Sequence, residues 1–451
     1  MASTYLTRTP TTGNRRTGTF SAWVKRGSLG TLNSLLDCYT ATEVTWFNIR
    51  FSASDEIQAM GYDATSGFQE QFELRPSRLF RDTSAWYHIV FSWDSTQATA
   101  SDRVKFYVNG ELETSFARSV YPSQNEDFYI NYNSIPYWIG RGGWNANYFN
   151  GSMSHVHVID GTAYDATAFG EYDANGVWKI KTDVSVTYGT NGYFILKDGN
   201  SVTDQSGNGN NFTVAGGTLT NTEDNPSNVF ATLSPLHKTP TGQTLSNGNL
   251  TATNSAVSLR YNNCSTICSS SGKYYAEVKI DTIGGETGST IIGFLNADKA
   301  VTFQTATDFY NGQDNFSAGW YSDSGAVFYQ TASTWQTLSS FTTGDILQFA
   351  MDLDNGFFYF GKNGTWQNSA DPTSGATGTG GLAVSGLGSS GDTFGFSSTV
   401  RNNGIYSWNF GNGYFGTTAV ASAGTNASGN GIFEFDVPTG YTALSTKGLN
   451  L

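Results

Sequence analysis

The stretch GDILQFAMDLDNGFFYFGKNGTW, Gly344 to Trp366, decides the fold. It reads as a strand, a turn at Asp354-Asn355-Gly356, a second strand, and a further turn at Asn363-Gly364. Aromatic side chains suit a pleated, half-buried surface, and Asp, Asn and Gly supply the turns between strands. Working outward, GKYYAEVKI (Gly272 to Ile280) alternates Tyr274, Ala276 and Val278 toward one face, and STIIGFL (Ser289 to Leu295) reads as a buried strand. GDTFGFS (Gly391 to Ser397) and YSWNFGNG (Tyr406 to Gly413) follow. The first half repeats this logic in GTFSAWVKR (Gly18 to Arg26), WYHIVFSWD (Trp86 to Asp94), YWIGR (Tyr137 to Arg141) and GSMSHVHVID (Gly151 to Asp160). In VKFYVNGELE (Val104 to Glu113), Asn109-Gly110 between two short runs predicts a type I′ hairpin. AYDATAFGEYD (Ala163 to Asp173) has room for one short helix.

Many short strands with a turn signal about every ten residues predict an all-β chain of antiparallel sandwiches. No helical crossover pattern for a parallel sheet is present. The composition shifts to turn formers between Val202 and Leu236, in DQSGNGNNF and TNTEDNPSNVF. We therefore divide the chain into a first sandwich over 1–200, a turn-rich connector over 201–240 and a second sandwich over 241–451.

Charged residues are only 14% of the chain and the net charge is −13, which disfavours a phosphate-backbone partner. No apolar run is long enough to span a membrane, and MASTYLTRTP lacks the apolar stretch of a secretory signal, so synthesis in a cytoplasm is expected. The three cysteines, Cys38, Cys264 and Cys268, form no disulfide framework; Cys264 and Cys268 read as two thiols, with a local disulfide left open.

Residues from about 15 to 185 resemble the LamG-like branch of the concanavalin A-like fold, through FSAWVKR, WYHIVFSWD, VKFYVNGELE, YWIGR and YFNGSMSHVHVIDGTAYDATAFGEYDANGVWK. Residues from about 245 to 420 resemble a SPRY domain, through GKYYAEVKI, IGFL, the Gly344–Trp366 stretch and YSWNFGNG. The whole arrangement, with DQSGNGNNF and DNPSNVFATLSPL between the domains and FDVPTGYTALSTKGL at the close, is similar to virion structural proteins of tailed phages, particularly marine ones. The resemblance implies two jelly-roll sandwiches in tandem on a virion surface, made in the host cytoplasm. It further implies assembly with other virion proteins and as a homo-oligomer, with a trimer typical of fibres. The expected role is that of a non-enzymatic tail fibre or appendage contributing to host attachment through surface glycans. A capsid decoration or scaffold role without host ligand is the alternative, and a polysaccharide hydrolase the second.

Hydrolases on this fold carry Glu-x-Asp-x-x-Glu on one strand, because two carboxylates must flank the scissile bond. Glu171-Tyr172-Asp173 and Glu434-Phe435-Asp436 both lack the third carboxylate. Asp352 and Asp354 read as turn formers. His155 and His157 share a strand with no third metal ligand in view. No nucleophile elbow or phosphate loop is present, and SGATGTGGLAVSGLG (Ser374 to Gly388) reads as a long flexible loop. LamG-like relatives sometimes bind calcium through loop Asp and Asn; Asp204, Asn208 and Asn210 are the weak candidates here, and no other cofactor is expected. The remaining signal is aromatic. GRGGWNANYFNG (Gly140 to Gly151) places Trp144 between glycine and asparagine, with Asn145 and Asn147 beside it, and Trp335 and Trp366 read as loop or turn residues. Sugar rings stack on such side chains while amides hydrogen-bond their hydroxyls.

Overall fold

The computed structural model describes residues 4–450 apart from 41–44, 64–68, 198, 200, 239–241, 256–258, 286–289, 300–308, 331 and 390. The chain divides into two compact units, Met1–Asn221 and Thr222–Leu451. Both are all-β, with only short 3-10 turns as helical elements among the described residues.

The first unit has an eight-stranded and a six-stranded sheet. The larger runs, in spatial order, Phe116–Val120, Gln69–Pro76, Ile57–Asp63, Thr45–Phe51, Asn33–Thr40, Tyr137–Ile139, Tyr5–Arg8 and Thr213–Ala215. The smaller runs Tyr193–Ile195, Gly151–Asp160, Thr17–Arg26, Trp86–Asp94, Val104–Val108 and Glu111–Leu112. Alternate residues of both sheets meet in one core, including Phe20, Ala22 and Val24 from one and Phe47, Ile49 and Phe51 from the other. Asn109 and Gly110 both take positive φ (49° and 87°), as a type I′ turn requires, and their hairpin joins Val104–Val108 to Glu111–Leu112. The helix expected near Ala163 is a single 3-10 turn, Ala166–Ala168, capped by Asp165.

The second unit has a seven-stranded and a nine-stranded sheet, with a small two-stranded one, Tyr414–Phe415 with Thr418–Ala419, beside them in the chain. Ile346–Asp352 pairs with Phe357–Lys362, which pairs in turn with Thr365–Trp366 through Asn363-Gly364. Tyr274, Ala276, Val278 and Ile280 enter the core beside Phe294, Phe349 and Trp408. The chain enters and leaves this unit side by side: Phe230 bridges Ser445, Ala231 N–H donates to the Leu444 carbonyl, and Thr446 N–H donates to the Val229 carbonyl, both at 2.9 Å.

Two expectations need correction or refinement. The Gly-rich stretch Ser374 to Gly388 is not a featureless loop: Leu382–Ala383 pairs with Phe357–Lys362, and Leu382 is buried, because an apolar side chain there closes the sheet edge. The turn-rich stretch 201–240 is shared between the units. Thr213–Ala215 adds to the first unit's sheet beside Tyr5–Arg8, while Leu233–Lys238 pairs in the second. Phe212 and Phe230 are accordingly buried.

Candidate functional site

Since successive side chains of a strand point to opposite faces, the strands that bury Leu36, Phe47, Ile49, Ala59 and Phe72 must present the intervening residues on the other side of the eight-stranded sheet. Register sets these in rows. Tyr39 lies opposite Trp46, Trp46 opposite Tyr62, and Tyr62 opposite Glu70. The adjoining row runs Trp138, Asp37, Asn48, Met60, Glu73.

The loop after Tyr137–Ile139 folds onto this face. Gly142 N–H donates to the Ala146 carbonyl and Ser34 N–H to the Asn147 carbonyl, both at 2.9 Å. Asn145 and Asn147 take left-handed φ of 55° each, which asparagine tolerates. Gly143 presses on Tyr39 so closely that a β-carbon would lie 2.3 Å from the ring's Cγ. The result places the Trp144 indole against Tyr39 (4.6 Å between ring centroids) and edge-on to Trp46 (5.0 Å), with 49% of the residue still exposed. Trp46 stacks on Tyr62 at 4.5 Å, and Tyr39 contacts Trp138 at 6.3 Å. Arg141 lays its guanidinium over both Tyr5 and Trp138, 4.6 and 4.7 Å from the centroids. Tyr148 contacts Tyr5 and donates its hydroxyl to Asn145 Oδ1 at 2.6 Å.

Beside this aromatic band runs a set of polar side chains on the same face of the sheet. Asn48 Nδ2 donates to Asp37 Oδ2 at 2.7 Å, whereas Asp37 Oδ1 and Asn48 Oδ1 have no hydrogen-bond partner among the described residues. Burial pushes the Asp37 carboxyl up to about 7, partly offset by the Gly143 N–H and Asn48. Arg50 Nε donates to Gln58 at 3.1 Å, Gln58 donates to Glu73 at 2.7 Å, and Arg118 bridges Glu70 and Glu73 at 2.6 Å each. Such a surface offers flat apolar rings beside polar groups, the chemistry that a sugar presents in complement.

Of the residues singled out in the sequence, Trp144, Asn145 and Asn147 come together in this loop. Tyr39, Trp46, Tyr62, Trp138, Tyr5 and Arg141 join them and were missed, although the alternation of aromatics against the apolar face of each strand was visible. Trp335 and Trp366 belong to the second unit and lie within strands rather than in loops. Trp335 is half-buried against Phe360 (6.0 Å) and Trp366 against Tyr275 (6.3 Å).

The calcium candidates do not fit an ion. Asp204 spends its carboxylate on the N–H groups of Phe194, Ser206 and Asn210 and on the Ser206 hydroxyl. Asn208 and Asn210 direct their amide N–H groups at the carbonyls of Gly189, Thr190 and Gly192, and Asn210 Oδ1 accepts from Arg8. Among the described residues no three His, Cys, Asp or Glu side chains gather as metal ligands. His157 is buried, stacks on Phe194 at 3.9 Å and bonds the Tyr188 hydroxyl through Nδ1; His155 sits at a bulge with φ 50°.

Ser21 and His88 meet at 2.9 Å between Oγ and Nε2. The third member is Trp178, whose indole N–H donates to His88 Nδ1 at 3.1 Å. Indole nitrogen only donates, so the imidazole proton resides on Nε2 and His88 donates to the serine. This is the reverse of a base activating a nucleophile. The carboxylates are equally committed. Asp173 accepts from Asn175 and Val177 N–H and pairs with Lys179, and Asp436 accepts from Thr425. Asp352 pairs with Lys273 at 2.8 Å and caps Asn355, and Asp354 accepts from Gly272 N–H. In the second unit an open depression of about 650 Å³ lies among Ile283, Ser322, Phe341 and Arg401.

Residues 2–167 match the concanavalin A-like lectin/glucanases superfamily, and residues 273–383 match the SPRY domain. Among solved structures, the SPRY domain of human HERC1 is similar at 17% identity over 39% of this chain and 96% of its own, with a TM-score of 0.30. A second human SPRY domain is similar at 14% identity over 37% of this chain and 94% of its own, with a TM-score of 0.27. The native heptameric SAP-like pentraxin from Limulus polyphemus is similar at 14% identity over 48% of this chain and 90% of its own, with a TM-score of 0.30. No curated protein matches the chain. Two successive stretches of this all-β chain thus match β-sandwich families, the first concanavalin A-like and the second SPRY.

Proposed function

We propose that this chain is a non-enzymatic surface protein of a tailed-phage particle that contributes to host attachment by holding a saccharide against the Trp144 face of its concanavalin A-like domain. The observation that carries this reading is the exposed Trp144 indole, fixed by Tyr39 and Trp46 at the centre of a band of aromatic side chains. An indole held in place with one face in water, beside other aromatic rings and amide groups, offers a plane on which a sugar ring can stack. The partner under this reading is a host surface glycan, and the chain assembles as a homo-oligomer among other virion proteins. Its net charge of −13 sets it apart from nucleic-acid binders.

The test is a screen of host lipopolysaccharide and capsule fragments against the native chain and the Trp144→Ala variant, paired with immunogold labelling of purified virions. Binding lost in the variant and gold on tails or appendages support the reading. Gold spread over the head without glycan binding makes it a decoration protein, and release of reducing ends from host polysaccharide overturns the non-enzymatic assignment.

A further inference from the structure

The second unit holds a pair of cysteines that the aromatic face does not use. Cys264 lies in the strand Tyr261–Ser265, and Cys268 in the turn leading to Lys273–Thr282. Their sulfurs are 3.9 Å apart. Cys264 is fully buried and Cys268 half-buried, against a wall of Leu295, Phe309 and Phe316. Room for the two sulfurs comes from Gly395, where a β-carbon would lie 2.7 Å from the Cys268 sulfur and 2.8 Å from that of Cys264. The turn is anchored directly after Cys268, since Ser269 and Phe394 exchange backbone hydrogen bonds of 3.0 and 2.8 Å.

The two thiols differ. Their mutual hydrogen bond pushes Cys264 well up and Cys268 down, so Cys264 keeps its proton and donates it toward a Cys268 sulfur of more thiolate character. Cys268, the less buried residue of the two, is therefore the better nucleophile, and Cys264 is its resolving partner. Cys38, buried in the first unit with its thiol pushed well up, has no second cysteine beside it and serves as an internal control.

We propose that Cys264 and Cys268 form an oxidisable dithiol, closed to an intramolecular disulfide by exchange with a small-molecule disulfide such as oxidised glutathione. Cys268 thiolate attacks one sulfur of the oxidant, the S–S bond breaks, and one glutathione thiolate leaves. Cys264, its proton lost to that thiolate, then attacks the Cys268 sulfur and expels the second glutathione. Two protein thiols are oxidised, one external disulfide is reduced to two glutathione thiols, and both cysteine protons end on glutathione. The product ties the end of Tyr261–Ser265 to the turn that follows it, on passage from a reducing to an oxidising medium.

The native full-length chain is incubated with oxidised glutathione, quenched in acid, unfolded, alkylated and measured by intact and peptide mass spectrometry. The expected result is loss of two hydrogens, with the peptide carrying both cysteines unalkylated and Cys38 alkylated. Cys264→Ser should stop at a single glutathione adduct on Cys268, and Cys268→Ser should take none. A wild-type chain that ends as a stable glutathione adduct, or that keeps both thiols under conditions that oxidise a free dithiol, overturns the proposal. The wild-type measurement needs no variant, so it decides the matter even where a serine variant folds poorly.

Discussion

Glu277 accepts the backbone N–H of Phe435 at 2.8 Å, joining residues 158 apart in the chain. Its other carboxylate oxygen accepts Glu434 N–H at 2.8 Å, and the Tyr275 hydroxyl donates at 2.9 Å. A fully buried acid thus stands where a sheet residue would ordinarily be apolar, and it fastens the C-terminal segment to the strand Lys273–Thr282.

Burial pushes Glu277 from 4.5 up to about 7, against the pull of those N–H groups. A raised acid holds its proton more tightly folded than unfolded, so the associated stability is full below about pH 4.5 and is lost as pH rises through 7. Glu277→Gln should flatten the fall in the second unit's stability between pH 5 and 8, a change on the order of 3 kcal/mol. Denaturant melts of both forms across that range measure it; parallel pH profiles would refute it.

His88 works in the opposite sense. Burial lowers it from 6.5 to about 3, so the unfolded chain takes up the proton first. The stabilisation is present above pH 6.5 and is lost as pH falls toward 3. His88→Gln should lessen the acid sensitivity of the first unit, read by circular dichroism during an acid titration.

Arg26 is buried beneath Phe51, donating to Asp55 at 3.1 Å and to the Phe80 carbonyl at 2.5 Å. Asp55→Asn keeps the acceptor for Gly30 N–H but leaves a buried guanidinium without its counter-charge. The expected loss is about 3 kcal/mol in urea denaturation, the scale of a broken buried pair.

Trp144→Ala should abolish saccharide binding while lowering stability by less than about 1 kcal/mol, because the indole is half in water. Isothermal calorimetry and thermal melts on the same sample separate the two effects.

Gly143→Ala tests the loop without touching the indole. Its new methyl meets the Tyr39 ring, so the loop must lift. Binding should weaken at least tenfold and Trp144 fluorescence should shift toward that of a solvated indole. Unchanged binding would separate loop position from recognition.

The hairpins at Asn109-Gly110 and Asn363-Gly364 were legible because their turn geometry is local. Alternation likewise exposed which faces of Gly18–Arg26 and Gly272–Ile280 enter the cores. The aromatic band was not legible, since it depends on register: Tyr39, Trp46 and Tyr62 become neighbours only when three strands pair in one alignment. Trp144 stood out in its Gly/Asn loop, but the sequence carries no sign that Gly143 seats that loop on Tyr39. Trp335 and Trp366 read as loop or turn residues as well, and tertiary packing places them within strands of the second unit. Glu277 gave no signal, because a buried carboxyl is recognisable by its distant N–H partners alone.

The paired ends of the second unit have a mechanical consequence. Pulling on the chain loads Val229–Ala231 against Leu444–Thr446, adjacent runs joined by hydrogen bonds of 2.9 Å. Tension applied there opens these bonds in succession, as a zipper opens, rather than shearing them together. The C-terminal segment peels first; Thr442–Ala443, paired with Tyr274 and Tyr275, is the next resistance met, and the Glu277 fastening of Glu434 and Phe435 follows it.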